Sequence, residues 1–109
     1  MRVTGPTVIT RQLIVDRDNG WCRRCGRTGE QIHHRKPRGM GGTRDSDINS
    51  PANLVLLCSG CHSWIELNRE WAYKLGWLVH RTADPADIPV QTGHWSVRLL
   101  PDGGIEYGA

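Results

Sequence analysis

Cys58-Ser59-Gly60-Cys61-His62 sets two thiols three residues apart with an imidazole directly after the second, and the fold turns on how this stretch is read. Two cysteines at this spacing can grip one soft metal ion, because the turn after the first sulfur aims backbone N–H groups at the thiolates. A second pair, Cys22-Arg23-Arg24-Cys25, lies upstream, and Gly26 supplies the sharp exit that such a knuckle needs. Two pairs of this kind predict one tetrahedral zinc held by Cys22, Cys25, Cys58 and Cys61, in preference to disulfides. At 109 residues the chain fits a single domain, 1–109, with a modest core to which a structural metal would add folding free energy directly.

Working outward, Leu54-Val55-Leu56-Leu57 is a compact apolar run that reads as a strand pairing back onto a second short strand at Gln31-Ile32-His33-His34-Arg35. Pro37, Gly39, Gly41 and Gly42 make the segment after it a loop, and its basic residues are better placed to meet a partner than a core. Beyond Cys58, Trp64, Ile65 and Leu67, then Trp71, Leu75 and Leu78, fit helical spacing, with a break or second cap at Asn68 and a stop at Gly76. An exit strand is expected at Trp77-Leu78-Val79, extended loop over residues 82 to 92, and a hairpin over 94 to 107. Upstream, Thr7 or Thr10 could cap a short helix through Arg17 that Asp18-Asn19-Gly20 ends, and residues 1–7 read as a flexible arm. The class is α+β, with the motif-bearing core at about residues 20–78.

Net charge is +3, but its distribution is uneven. Residues 1 to 44 carry ten Lys/Arg against three acids, whereas the remainder carries four against eight. The basic half suits a polyanion and equally suits an ordinary solvated surface. No apolar run is long enough to cross a bilayer and the N-terminus lacks the pattern of a signal peptide, so a cytoplasmic, membrane-free setting is expected. His80 and His94 read as surface residues.

His33 and His34 alternate faces on a strand, so one of them can meet a ligand on a packed helix while its neighbour faces elsewhere. Alone, the pair reads as polar surface, Asn53 as a turn residue and His62 as a helix-start residue. Their order is more informative. Cys-x-x-Cys, His33-His34, Asn53 and Cys-x-x-Cys-His62, together with Ile32-His33-His34-Arg35-Lys36-Pro37-Arg38-Gly39-Met40-Gly41-Gly42 and Asn49-Ser50-Pro51-Ala52-Asn53-Leu54, closely resemble the HNH endonuclease family. The likeness covers roughly residues 10 to 80 and is to the short members with a four-cysteine zinc, encoded by phages and prophages.

The resemblance implies a small zinc-stabilised ββα-metal (His-Me finger) HNH domain with flanking helices and a C-terminal β-hairpin. It implies that His33 and His62 hold a catalytic divalent ion, that His34 is the general base, and that Asn53 braces the loop. The position of His33 is often an aspartate in the family; a neutral imidazole there shifts preference toward Mn2+, Ni2+ or Zn2+ and leaves Mg2+ less favoured. DNA is the implied partner, with Arg35, Lys36, Arg38 and Arg44 as candidate backbone contacts. Phage terminase or packaging proteins are further candidate partners, in genome processing within the bacterial host. A non-catalytic zinc module that binds DNA or protein is the competing reading, and a pure binding module has no need of three histidines beside the zinc site.

Overall fold

The computed structural model describes residues 5–36 and 48–108. Helix α1 spans Val8–Arg17 and starts at Thr7, whose hydroxyl accepts the Thr10 N–H at 3.1 Å. It ends at Asp18, and the chain then reverses through Asn19 and Gly20, both in the left-handed region. Asp18 does more than turn the chain. Its buried carboxylate accepts from the guanidinium groups of Arg17 and Arg23 and from the Leu56 N–H, tying helix, knuckle and strand together.

Strands β1 (Gln31–His34) and β2 (Leu54–Leu57) pair antiparallel, with His33 opposite Val55 and His34 opposite Leu54. All four residues of β2 are buried. Leu54 and Leu56 face Ile14 of α1, while Val55 and Leu57 enter the main core, so a continuous apolar run is what a strand covered on both faces requires. That main core also contains Cys22, Cys58 and Cys61 together with Ile65, Ala72, Trp77, Leu78, Val90, Val97 and Leu99. The cysteines are therefore part of the hydrophobic interior.

Helix α2 (Ser59–Leu67) follows β2 directly, its N-cap being Cys58. Asn68 breaks it, donating its side-chain amide back to the Trp64 carbonyl at 2.9 Å, and α3 (Arg69–Leu75) continues in a new direction. Gly76 ends α3 at φ +85°, where a Cβ would also run into the Pro89 carbonyl, so both backbone conformation and space demand glycine.

Two expectations change downstream. Trp77-Leu78-Val79 is not a strand: the Trp77 and Leu78 N–H groups both donate to the Ala72 carbonyl, and that of Val79 donates to Arg35, so the segment closes onto the helix end rather than forming a ladder. Residues 82 to 92 are more ordered than an extended loop. A 3-10 turn at Pro85–Asp87 is capped by Asp84, and β3 (Val90–Thr92) pairs antiparallel with β4 (Trp95–Leu99). β4 in turn pairs with β5 (Ile105–Gly108), making the expected hairpin two strands of a three-stranded sheet ordered β3-β4-β5. The physical reason is Val90, whose buried side chain lies in register with Val97 and fastens the third strand to the core. Among the described residues no helix is long and apolar enough to cross a membrane. Of the arm expected at residues 1–7, residues 1–4 lie outside them, while Gly5 and Pro6 lead into α1 and Thr7 caps it.

Burial pushes the Asp18 carboxyl up, but the Arg17 hydrogen bond and charge, the Arg23 charge and the Leu56 N–H outweigh it and hold the carboxyl below its ordinary value of 3.8. The folded state thus binds fewer protons than the unfolded chain, so this contribution is present above about pH 4 and is lost as the pH falls through the folded value. Asp18→Asn should lower stability by about 3 kcal/mol at pH 7, since it leaves two buried guanidinium groups facing a neutral amide. Urea unfolding at pH 7 and pH 3 measures this, and the gap between wild type and variant should narrow in acid. Gly76→Ala should cost about 2–3 kcal/mol by the same assay.

Candidate active site and metal centre

The four cysteine sulfurs lie within 4.8 Å of one another, and those of Cys25 and Cys58 are 3.6 Å apart. A tetrahedron with zinc–sulfur bonds of about 2.3 Å has edges of about 3.8 Å, so four soft donors stand close to where one zinc needs them. All four are free thiols. Local N–H groups point at the sulfurs, and of the shifted thiols Cys58 is the one drawn toward the thiolate, whereas burial pushes Cys61 up to about 12. The Cys61 N–H donates to Cys58 Sγ at 3.4 Å and holds that thiol down at about 7, and the Arg27 N–H points at Cys25 Sγ at 3.5 Å. Arg24 places its guanidinium 3.9 Å from the Trp64 ring centre and donates to Cys61 Sγ at 3.3 Å, setting a cation beside the cluster. The first knuckle is fixed to the sheet by the Arg23 N–H, which donates to the Leu56 carbonyl.

His62 follows Cys61 on α2 and lies against β1, its ring centre 5.4 Å from that of His33 with the planes at 66°. Two imidazoles sharing one ion at about 2.1 Å from each nitrogen would have ring centres about 5 Å apart. His33 is set for such a task. Its Nε2 donates to the Trp77 carbonyl at 2.8 Å, which leaves Nδ1 as the lone-pair nitrogen. Burial pushes its pKa down to about 4, against the upward pull of the Trp77 carbonyl, so the ring is neutral at physiological pH.

His34, on the opposite side of the strand, is half-buried and donates Nε2 to Asn49 Oδ1 at 2.8 Å, a tautomer in which Nδ1 is the basic nitrogen. Both rings still open into one pocket of about 230 Å³, lined by Ile32, His33, His34, His62, Glu66, Arg69 and Leu78. Sequence reading missed Asn49 as the partner of His34, and Glu66 and Arg69 as lining residues. The four-residue step from His62 to Glu66 on an amphipathic helix was a usable signal for Glu66.

Asn53 is fully buried, and its side chain accepts the Lys36 N–H at 2.7 Å while donating to the Ile48 carbonyl at 2.8 Å and the Lys36 carbonyl at 3.4 Å. Its own carbonyl accepts the Arg35 N–H. Residues 36 and 48 are thus held side by side, next to His34.

The basic candidates fare differently. Arg35 is 0% exposed and donates to the carbonyls of Gly76, Ala52, Pro85 and Ile88, so the expectation that it grips DNA is corrected: its guanidinium is consumed inside the protein. Lys36 is also buried, 6% exposed. Arg38 and Arg44 lie outside the described residues. His80 and His94 are exposed, His80 stacking on Tyr73 with ring centres 4.3 Å apart.

Metal analysis of the native chain should find one zinc per molecule bound with the four thiolates. Removing it with a strong chelator should broaden or abolish the unfolding transition followed by circular dichroism, and Cys58→Ala should do the same without chelator.

No curated protein and no solved structure matches this chain. The mixed helix-and-sheet architecture and the cysteine cluster fit a zinc-stabilised HNH fold, the cluster drawing its ligands from the knuckle and from the start of α2. Residues 22–65, which run from the first of the zinc-site cysteines into α2 and include His33, His34, Asn53 and His62, match the family model of the HNH endonuclease.

Proposed function

We propose that this protein is a metal-dependent DNA endonuclease that hydrolyses phosphodiester bonds, leaving 5′-phosphate and 3′-hydroxyl ends. The observation that carries this reading is one pocket in which two imidazoles, His33 and His62, face each other while a third, His34, opens beside them. A zinc module built only for binding needs the cysteines and none of these. The family match over residues 22–65 supports the same chemistry.

In this reading His33 Nδ1 and His62 hold one divalent ion, which supplies Lewis-acid stabilisation of the charge that builds on the phosphate and on the leaving oxygen. Mn2+, Ni2+ or Zn2+ suits two imidazoles better than Mg2+ does. His34 takes a proton at Nδ1 from the attacking water as the new P–O bond forms and the bond to the 3′-oxygen breaks; the leaving oxygen is protonated from solvent. Asn49 holds the His34 ring in its tautomer, and Asn53 fixes the strand end that carries it. Arg38 and Arg44 are retained as contacts to the DNA backbone.

We take residues 1–109 as one endonuclease domain, because Val90, Val97 and Leu99 of the C-terminal sheet share a core with Cys22, Cys58 and Cys61. The likeness to phage-encoded members extends the proposal to genome processing or packaging beside a terminase, in the cytoplasm of a bacterial host.

Plasmid nicking with Mn2+, Mg2+, Ni2+ and Zn2+ in turn, against a chelator control, tests the reading. His34→Ala should stay folded and zinc-loaded while the nicking rate falls by about 10²–10⁴. Cleavage retained in that variant sinks the general-base assignment, and a wild type that binds DNA but nicks with no metal favours the binding module.

A further inference from the structure

The pocket that contains His33, His34 and His62 is also lined by Arg69, at the start of α3, and by Glu66, one turn beyond His62 on α2. Arg69 Nη1 lies 3.1 Å from Glu66 Oε2, and the two side chains are 47% and 50% exposed. The other arginines near the site have structural duties. Arg17 and Arg23 hold Asp18, Arg24 lies between Cys61 and Trp64, and Arg35 is consumed by four carbonyls. Among the described residues, Arg69 is the arginine that lines the histidine pocket.

We propose that Arg69 binds the phosphodiester in this pocket, exchanging its contact with Glu66 for the non-bridging oxygens of the phosphate beside His34. This rests on the endonuclease reading and deepens it, naming the cation that seats the substrate. Three observations converge. A phosphodiester is a monoanion with two non-bridging oxygens, and beside the ion that His33 and His62 would hold, Arg69 is the arginine on the described pocket wall that can meet them. A guanidinium presents paired N–H donors that match two phosphate oxygens, which an ammonium cannot. An exposed arginine–glutamate pair is weakly held, so a phosphate can displace the carboxylate at little cost. Glu66 then acts as a tether: it keeps Arg69 at the pocket wall before substrate arrives and opposes phosphate binding by its own charge.

The test uses the full zinc-loaded chain and a labelled duplex DNA followed by fluorescence anisotropy, in a His34→Ala background so that the DNA stays intact. Arg69→Ala should weaken binding about tenfold and reduce the slope of log affinity against log salt by about one. Arg69→Lys should recover only part of the affinity, and Glu66→Gln should tighten binding several-fold. The double variant Glu66→Gln/Arg69→Ala should recover only the part of the affinity that the Glu66 charge had opposed and should still bind more weakly than the wild type. Recovery of full affinity in the double variant would overturn the proposal, because the loss would then come from an uncovered carboxylate. Unchanged affinity and salt slope in Arg69→Ala would overturn it equally. With His34 intact, Arg69→Ala should raise KM for nicking at unaltered zinc content. If the wild type shows the Arg69-dependent binding yet nicks with no metal, the phosphate contact stands and the endonuclease reading falls.

Discussion

Four backbone carbonyls from Ala52, Gly76, Pro85 and Ile88 converge on the guanidinium of Arg35, and the rest of the structure is arranged around that convergence. Its main chain joins in, donating to Asn53 and accepting from Val79. Burial pushes the guanidinium pKa down to about 10, with the charge of Arg17 adding to the effect, which still leaves it protonated at neutral pH. A buried cation is costly unless its donors are met, and here main-chain oxygens meet them. The carbonyls come from three separate segments: the turn before β2, the end of α3 and the turn before β3. One side chain therefore positions the histidine strand against both the helical corner and the C-terminal sheet.

The second level of organisation is the single helical turn that carries Cys58, Cys61 and His62. Successive residues on a helix point about 100° apart, so the two sulfurs can face the first knuckle while the next side chain faces β1. Three of the four zinc-site cysteines, Cys22, Cys58 and Cys61, are embedded in the main core alongside Val55, Leu57 and Ile65, while Cys25 is exposed. Metal binding and hydrophobic burial are thus one event, and the placement of His62 opposite His33 follows from it. A small chain gains rigidity for a pocket it could not otherwise stiffen.

The sequence made the knuckles, the paired strands and the broken helix legible, because each rests on local chemistry: cysteine spacing, a four-residue apolar run, and Asn68 and Gly76 as punctuation. The C-terminal third was harder. Val90 becomes a strand residue only through its register with Val97, a pairing that no local pattern announces. Asp18 looked like turn chemistry and is instead a buried junction between three elements, since its two arginine partners were counted as part of a basic surface. Arg35 was misread for the same reason: charge in a sequence says nothing about which cations the backbone will enclose. Asn49 and Arg69 stand far from His34 along the chain, and only the packing of β1 against the approach to β2 and the corner of α2 and α3 brings them near.

The Asn53 side chain bridges Lys36 and Ile48 with bonds to both. The amide therefore clamps the outgoing end of the histidine strand to the approach to β2, so a change at Asn53 would reach His34 through the main chain.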